Sequence, residues 1–164
     1  MITNRWFCGI ENAQDARMVR ESVFVREQGF AEEDEFDALD AQAMHVVIYD
    51  DNAPVGTGRV YHDGKNFGIG RICVLKAARG GGIGDLLMRV LLVKVFEFCP
   101  SQVCILAQVQ ARGFYEKFGF AACGEQVDEA GIPHIPMLVN KETLVFQSGC
   151  GNTMHYKDIF PEKQ

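Results

Sequence analysis

Apolar and polar positions along this chain follow two periods, and the switches between them divide it into elements. Residues 1–10 read as a first or edge strand. From about residue 13 to 24 the apolar residues Ala16, Val19 and Val23 fall at helical spacing, with Asn12 placed to cap the helix. Residues 26–40 are acidic and read as a loop with a short helix. Strand-like runs occupy 44–49 and 55–62, parted by the turn Asp50-Asp51-Asn52-Ala53-Pro54. A second turn, Asp63-Gly64-Lys65-Asn66, leads into a strand over 67–75. A glycine turn follows, and then a helix to about residue 98 that stops before Pro100. Residues 103–109 read as a strand and 111–118 as a helix ended by Gly119. Residues 121–126 and 136–139 close the sheet, with Asp128-Glu129-Ala130-Gly131 between them as a turn.

The chain has 164 residues, 48% hydrophobic and 23% charged, enough for one domain with a sizeable core. The pattern assigns residues 1–140 to that domain and 141–164 to an extension. The extension carries Val145-Phe146 and Ile159-Phe160 and can pack on the core or on a second subunit. A net charge of −6 argues against nucleic acid or an anionic membrane as the main partner. No apolar run approaches the ~20 residues that span a bilayer, and the first residues lack a signal-peptide pattern. The six cysteines, at 8, 73, 99, 104, 123 and 150, form neither a C-x-x-C pair nor a metal-ligand spacing. Cys73 and Cys104 are expected to be buried, and a reduced, cytoplasmic protein without a metal is the simplest expectation.

The chemistry concentrates in Arg79-Gly80-Gly81-Gly82-Ile83-Gly84, between the apolar run Ile72-Cys73-Val74-Leu75 and the helical Asp85-Leu86-Leu87-Met88. Strand, glycine turn and helix together present free backbone N–H groups to an anion, and the helix dipole favours it. The expected ligand carries phosphate or pyrophosphate. A dinucleotide fingerprint fails, because Gly80 and Gly82 are followed by Asp85 where the third glycine belongs. A Walker loop fails for want of a Lys-Ser or Lys-Thr pair. The pattern [Q/R]-x-x-G-x-[G/A] fits Arg79, Gly82 and Gly84, and it resembles the acyl-CoA loop of the GCN5-related N-acetyltransferases, the GNAT superfamily.

A second segment resembles the same family. Ala111, Phe114, Tyr115, Lys117, Gly119 and Phe120 match its A-x-x-F-Y-x-K-x-G-F element. The N-terminal run from Arg20 to Phe30, then Glu35, Asp37, Asp40 and His45, together with the block 129–134, resembles the bacterial ElaA/YjcF-like branch. The resemblance implies an α/β (α+β) fold, with a mixed, mostly antiparallel, twisted sheet flanked by helices. It implies an acyltransferase that moves acetyl from acetyl-CoA to a primary amine of a small molecule or peptide by direct attack, and allows a homodimer. Two alternatives stand beside it. One is a transferase like the acyl-homoserine-lactone synthases, whose Arg, Phe, Glu and Asp spacing is similar. The other is a non-catalytic CoA-binding or interaction module.

The resemblance also implies roles. Gly80, Gly81, Gly82, Ile83 and Gly84 would bind the pyrophosphate, with Arg79 supporting it or lying at the surface. Ile72, Cys73 and Val74 would pair with pantetheine, and Gln108, Phe114, Tyr115 and Lys117 would contact the cofactor. Tyr115 would act as general acid toward the departing thiolate, since a phenol with pKa near 10 is protonated at neutral pH. Packing against Phe114 is its other reading. A general base is expected at His134 or Glu27, with Asp37 a further candidate, because residues 103–106 lack the carboxylate that some relatives carry. His134 can equally be a histidine bonded to backbone. His45 is expected to pair with Asp37 or Asp40. The acidic stretch from Glu32 to Asp40 could attract a cationic amine, though a solvated loop is favoured, while Arg17, Arg20 and Arg26 could receive an anion.

Overall fold

The computed structural model describes residues 1–147 and 151–161, so Cys150 lies outside the described residues. The chain divides into two compact units, Met1–Glu97 and Phe98–Gln164.

The first unit is built on four antiparallel strands in chain order: β1 (Ile2–Cys8), β2 (Met44–Asp50), β3 (Ala53–His62) and β4 (Phe67–Val74). Asp50 pairs with Ala53, so Asp51 and Asn52 alone make the turn. Both have positive φ, at 46° and 68°, as a two-residue hairpin of the primed type requires.

Helix α1 (Gln14–Arg20) and α3 (Ile83–Phe96) both pack on β3. Ala13 and Ala16 join Val47 and Tyr49 in one apolar cluster, and Val19, Val23 and Phe24 join Cys73 in another. Leu87, Leu91, Leu92 and Val95 give α3 a fully buried stripe. Gly58 is what lets α3 lie so close to β3, because a Cβ there would stand 2.7 Å from Leu91 Cδ1. Between α1 and β2 lies the four-residue helix α2 (Glu32–Glu35).

Two features differ from the sequence expectation here. Asn12 does not cap the helix; its amide donates to the Cys8 carbonyl, and Ala13 occupies the cap. The first helix also does not end at residue 24. It widens into π-helical turns over Glu21–Glu27, where the Gln28 N–H donates to Val23 O, five residues back. Periodicity does not signal that change.

In the second unit, β8 (Ile132–Asn140) is central and pairs antiparallel with β5 (Gln102–Gln108), β6 (Ala121–Ala122) and β7 (Val127–Glu129). The expected turn over 128–131 narrows to Ala130 and Gly131, because Asp128 and Glu129 pair with Pro133 and Ile132, and the strands around it shift as well. β8 begins four residues earlier than the apolar run suggests, and β6 has only two residues. Helix α4 (Arg112–Glu116) follows a short 3₁₀ turn, Val109–Ala111. A hairpin of β9 (Val145–Gln147) and β10 (Thr153–His155) precedes the short helix α5 (Tyr156–Ile159). Leu144 and Phe146 are buried, and the Phe146 ring meets Phe118 at 6.3 Å. Gly119 makes this close approach possible: its φ is 89°, and a Cβ would fall 1.8 Å from Thr143 O. Cys104 is half-buried, against the expectation of full burial, because it lies on the face of β5 opposite Val103 and Ile105.

Candidate active site

The glycine loop belongs to the first unit. β4 delivers the chain to a 3₁₀ turn at Lys76–Ala78, and α3 leaves it from Ile83. Gly80 and Gly82 hold φ of 84° and 82°, which L side chains rarely adopt. Beyond the adjoining residues, no heavy atom lies within 4 Å of where a Cβ would stand on Gly80, Gly81 or Gly82. The loop is therefore open to an approaching group. The Leu86 N–H donates to Gly82 O at 3.0 Å, so the amides of Ile83, Gly84 and Asp85 precede the first helical bond and have no acceptor inside the helix. Asp85 opposes an anion there, but its carboxylate is taken by Arg89, at 2.6 Å.

Arg79 begins the loop. Its Nε donates to Val74 O at 2.9 Å, and its two terminal nitrogens donate to the two carboxylate oxygens of Glu27, at 2.6 and 2.8 Å. The hydrogen bond from Arg79 holds the Glu27 carboxyl below its ordinary range. Glu27 and the glycine loop are thus brought together.

β4 carries a bulge before the loop. Gly70 pairs with Arg59 and Cys73 with Thr57, so the register shifts between them. Arg71 sits in the bulge with φ 52°, a left-handed conformation that costs a non-glycine residue about 1–2 kcal/mol. Its Nε donates to Glu35 O at 3.0 Å and lies 3.2 Å from Glu35 Oε2. Its Nη2 donates to Asp34 O and to Asp37 Oδ2, at 3.2 and 3.1 Å.

In the acidic stretch Glu32, Glu33 and Asp34 are solvated as expected, but Glu35 and Asp40 turn inward. Glu35 and Asp40 are 3% and 2% exposed, and fully buried Arg20 donates to both, at 2.7 Å each. Arg59 donates to Asp40 at 2.6 Å and to both oxygens of Asp37 at 2.7 Å. Burial alone raises the Asp40 pKa, but the hydrogen bonds and charges of Arg20 and Arg59 prevail and hold it at about 2. Burial pushes the Glu35 carboxyl up, against the pull of Arg20 and Arg71. Arg20 is spent on these carboxylates, and Arg17 on Glu21 and Glu32. His45 pairs with the Asp40 main chain, its Nε2 donating to the carbonyl at 3.1 Å, and burial lowers its pKa. Arg59 and Arg71 carry no motif, and the sequence reading does not single them out. Their partners lie 19 to 37 residues away, beyond any local signal.

The second unit holds the remaining candidates. Gln108 ends β5 and lies directly across the ladder from His134 on β8. His134 is on a strand and 5% exposed. Its Nδ1 donates to Ile132 O at 2.8 Å, which fixes the hydrogen on Nδ1. Nε2 is 3.7 Å from the Glu129 carboxylate. Tyr115 is half-buried on α4, its ring 5.2 Å from Phe114 and 6.1 Å from Phe120. Lys117 is exposed at the end of the same helix. Among the described residues no group of His, Cys, Asp and Glu is arranged to hold a metal, and no helix is long and apolar enough to cross a membrane.

Comparison with known proteins defines the class. The acetyltransferase (GNAT) domain family matches residues 13–141, so the chain belongs to that family. The uncharacterized N-acetyltransferase YjcF of Bacillus subtilis is 40% identical over 129 residues, covering 78% of this chain and 92% of that protein. The crystal structure of Escherichia coli ElaA superposes with a TM-score of 0.75 at 28% identity, over 84% of this chain and 99% of that one. An acyl-CoA N-acyltransferase from Pseudomonas aeruginosa gives a TM-score of 0.74 at 25% identity, over 84% and 99%. The expected branch and fold are thereby established: a mixed, mostly antiparallel sheet flanked by helices.

Proposed function

We propose that the chain is an N-acetyltransferase that moves acetyl from acetyl-CoA to a primary amine of a small molecule or peptide. The observation that carries this reading is the open glycine turn at the head of α3, where three unbonded helix amides and bare glycines can take a pyrophosphate. Arg79 supplies positive charge beside the loop. Glu27 offsets part of the Arg79 charge rather than serving as base, because the two hydrogen bonds it accepts from the guanidinium lower its basicity. Ile72, Cys73 and Val74 offer main chain to pantetheine, and Gln108, Phe114 and Lys117 contact the cofactor.

In the reaction the amine nitrogen forms a bond to the acyl carbon and the carbon–sulfur bond breaks. The thiolate takes a proton from the Tyr115 phenol. The amine gives up a proton to His134 Nε2, the ring nitrogen that the Ile132 bond leaves as acceptor. Positioning the thioester and stabilising the departing sulfur supply most of the rate. Cys8, Cys73, Cys99 and Cys123 form no disulfide, which suits a reducing cytoplasm.

The test is release of free CoA thiol from acetyl-CoA over a panel of amines, with acceptors of both charges. Release that requires both protein and amine supports the reading. Acetyl-CoA binding without release for any amine would favour the interaction module instead.

A further inference from the structure

Resting on the acyl-CoA reading above, we propose that Arg71 is a positioning residue: by gripping the acidic segment it sets the register of the strand that takes pantetheine. The left-handed backbone at Arg71 would suit glycine, and the chain uses glycine nearby at positions 68 and 70. At the bulge itself it carries an arginine, whose guanidinium makes four contacts to residues 34, 35 and 37. That segment is a firm anchor. Arg20 holds Glu35 at 2.7 Å, and Arg59 holds Asp37 through both oxygens.

The consequence falls on the next three residues. Because of the bulge, Cys73 meets Thr57 and Val74 meets Gly56. Removing the extra residue from the ladder would slide this end of β4 by one position. Every side chain of Ile72, Cys73 and Val74 would then change face, and every main-chain donor would turn to the opposite edge of the strand. Arg71 therefore couples the buried ion cluster to the way the strand presents itself, without touching the cofactor.

The experiment measures the dissociation constants of acetyl-CoA and of 3′-phosphoadenosine 5′-diphosphate, the CoA fragment that has the pyrophosphate and lacks pantetheine. Arg71→Gly keeps the backbone conformation accessible and removes the anchor. Its affinity for acetyl-CoA is expected to fall about tenfold while the fragment binds as in the wild type, and Arg71→Lys should recover part of the loss. Unchanged acetyl-CoA affinity in Arg71→Gly, or equal loss of both ligands, would overturn the proposal. Should the glycine variant fail to fold, Arg71→Lys decides: selective weakening supports the role, and wild-type affinity overturns it. A wild-type protein that binds neither ligand would overturn the acyl-CoA reading and this inference with it.

Discussion

Glu27 and Arg79 form a two-pronged ion pair, 2.6 and 2.8 Å across its two hydrogen bonds, that ties the end of the π-helical turns to the first residue of the glycine loop. The Arg79 charge is therefore partly spent before any ligand arrives. Because the pair lowers the Glu27 pKa, it persists above the ordinary glutamate range and is lost only as pH falls below it. Glu27→Gln frees the guanidinium. Titration calorimetry at low salt should find acetyl-CoA bound about two- to fivefold more tightly, an effect that fades as salt screens it. Weaker binding would mean that the phosphates need Arg79 held where Glu27 holds it.

Gly81 separates a ligand contact from a strained turn. Its neighbours Gly80 and Gly82 have positive φ, so any side chain there strains the fold whatever binds. Gly81 has no such φ and, beyond the adjoining residues, nothing within 4 Å of its Cβ position. Gly81→Val is expected to leave the melting temperature within about 2 °C of the wild type and to weaken acetyl-CoA binding at least tenfold. Full affinity in this variant would make the loop a structural turn.

Tyr115 packs against Phe114 and Phe120, so both proton donation and packing predict an effect of changing it. Tyr115→Phe keeps the ring and removes only the hydroxyl. The account predicts a fall in kcat of about 10²-fold with the acetyl-CoA dissociation constant little changed. Equal losses in both would assign the residue to packing.

The buried cluster predicts how the protein responds to acid. Asp40 is held at about 2 against an ordinary value of 3.8, so it stabilises the fold above the ordinary value, and that stability is lost as pH falls toward 2. Glu35 is raised, so its contribution has the opposite sign and disappears as pH rises. Arg20→Leu leaves both carboxylates buried with too few cations. It should cost about 3–5 kcal/mol at pH 7 and move the acid-unfolding midpoint upward, as followed by circular dichroism. An unchanged midpoint would show that Arg20 is not what holds Asp40.

What the sequence made readable was local. The strand, glycine turn and helix around residues 72–96 follow from an apolar run, bare glycines and a helical stripe, each visible within a few residues. β8 was harder because Pro133 and Pro136 lie within it, and proline argues against a central strand. The acidic segment is illegible for another reason. Glu35, Asp37 and Asp40 look solvated until Arg20, Arg59 and Arg71 are folded onto them from separate elements. The bulge at Arg71 is equally invisible, since nothing in Gly-Ile-Gly-Arg-Ile-Cys-Val sets apart a residue of positive φ.

The central claim is that the loop at residues 79–84 binds acyl-CoA, and thermal unfolding tests it most directly. With acetyl-CoA at 100 times its dissociation constant, the native state gains roughly 2.7 kcal/mol. For a chain of this size that raises the melting temperature by about 5–11 °C. The account predicts that shift with acetyl-CoA, none with NAD or ATP, and its loss in Gly81→Val. No shift with acetyl-CoA, or the same shift with all three ligands, would contradict it.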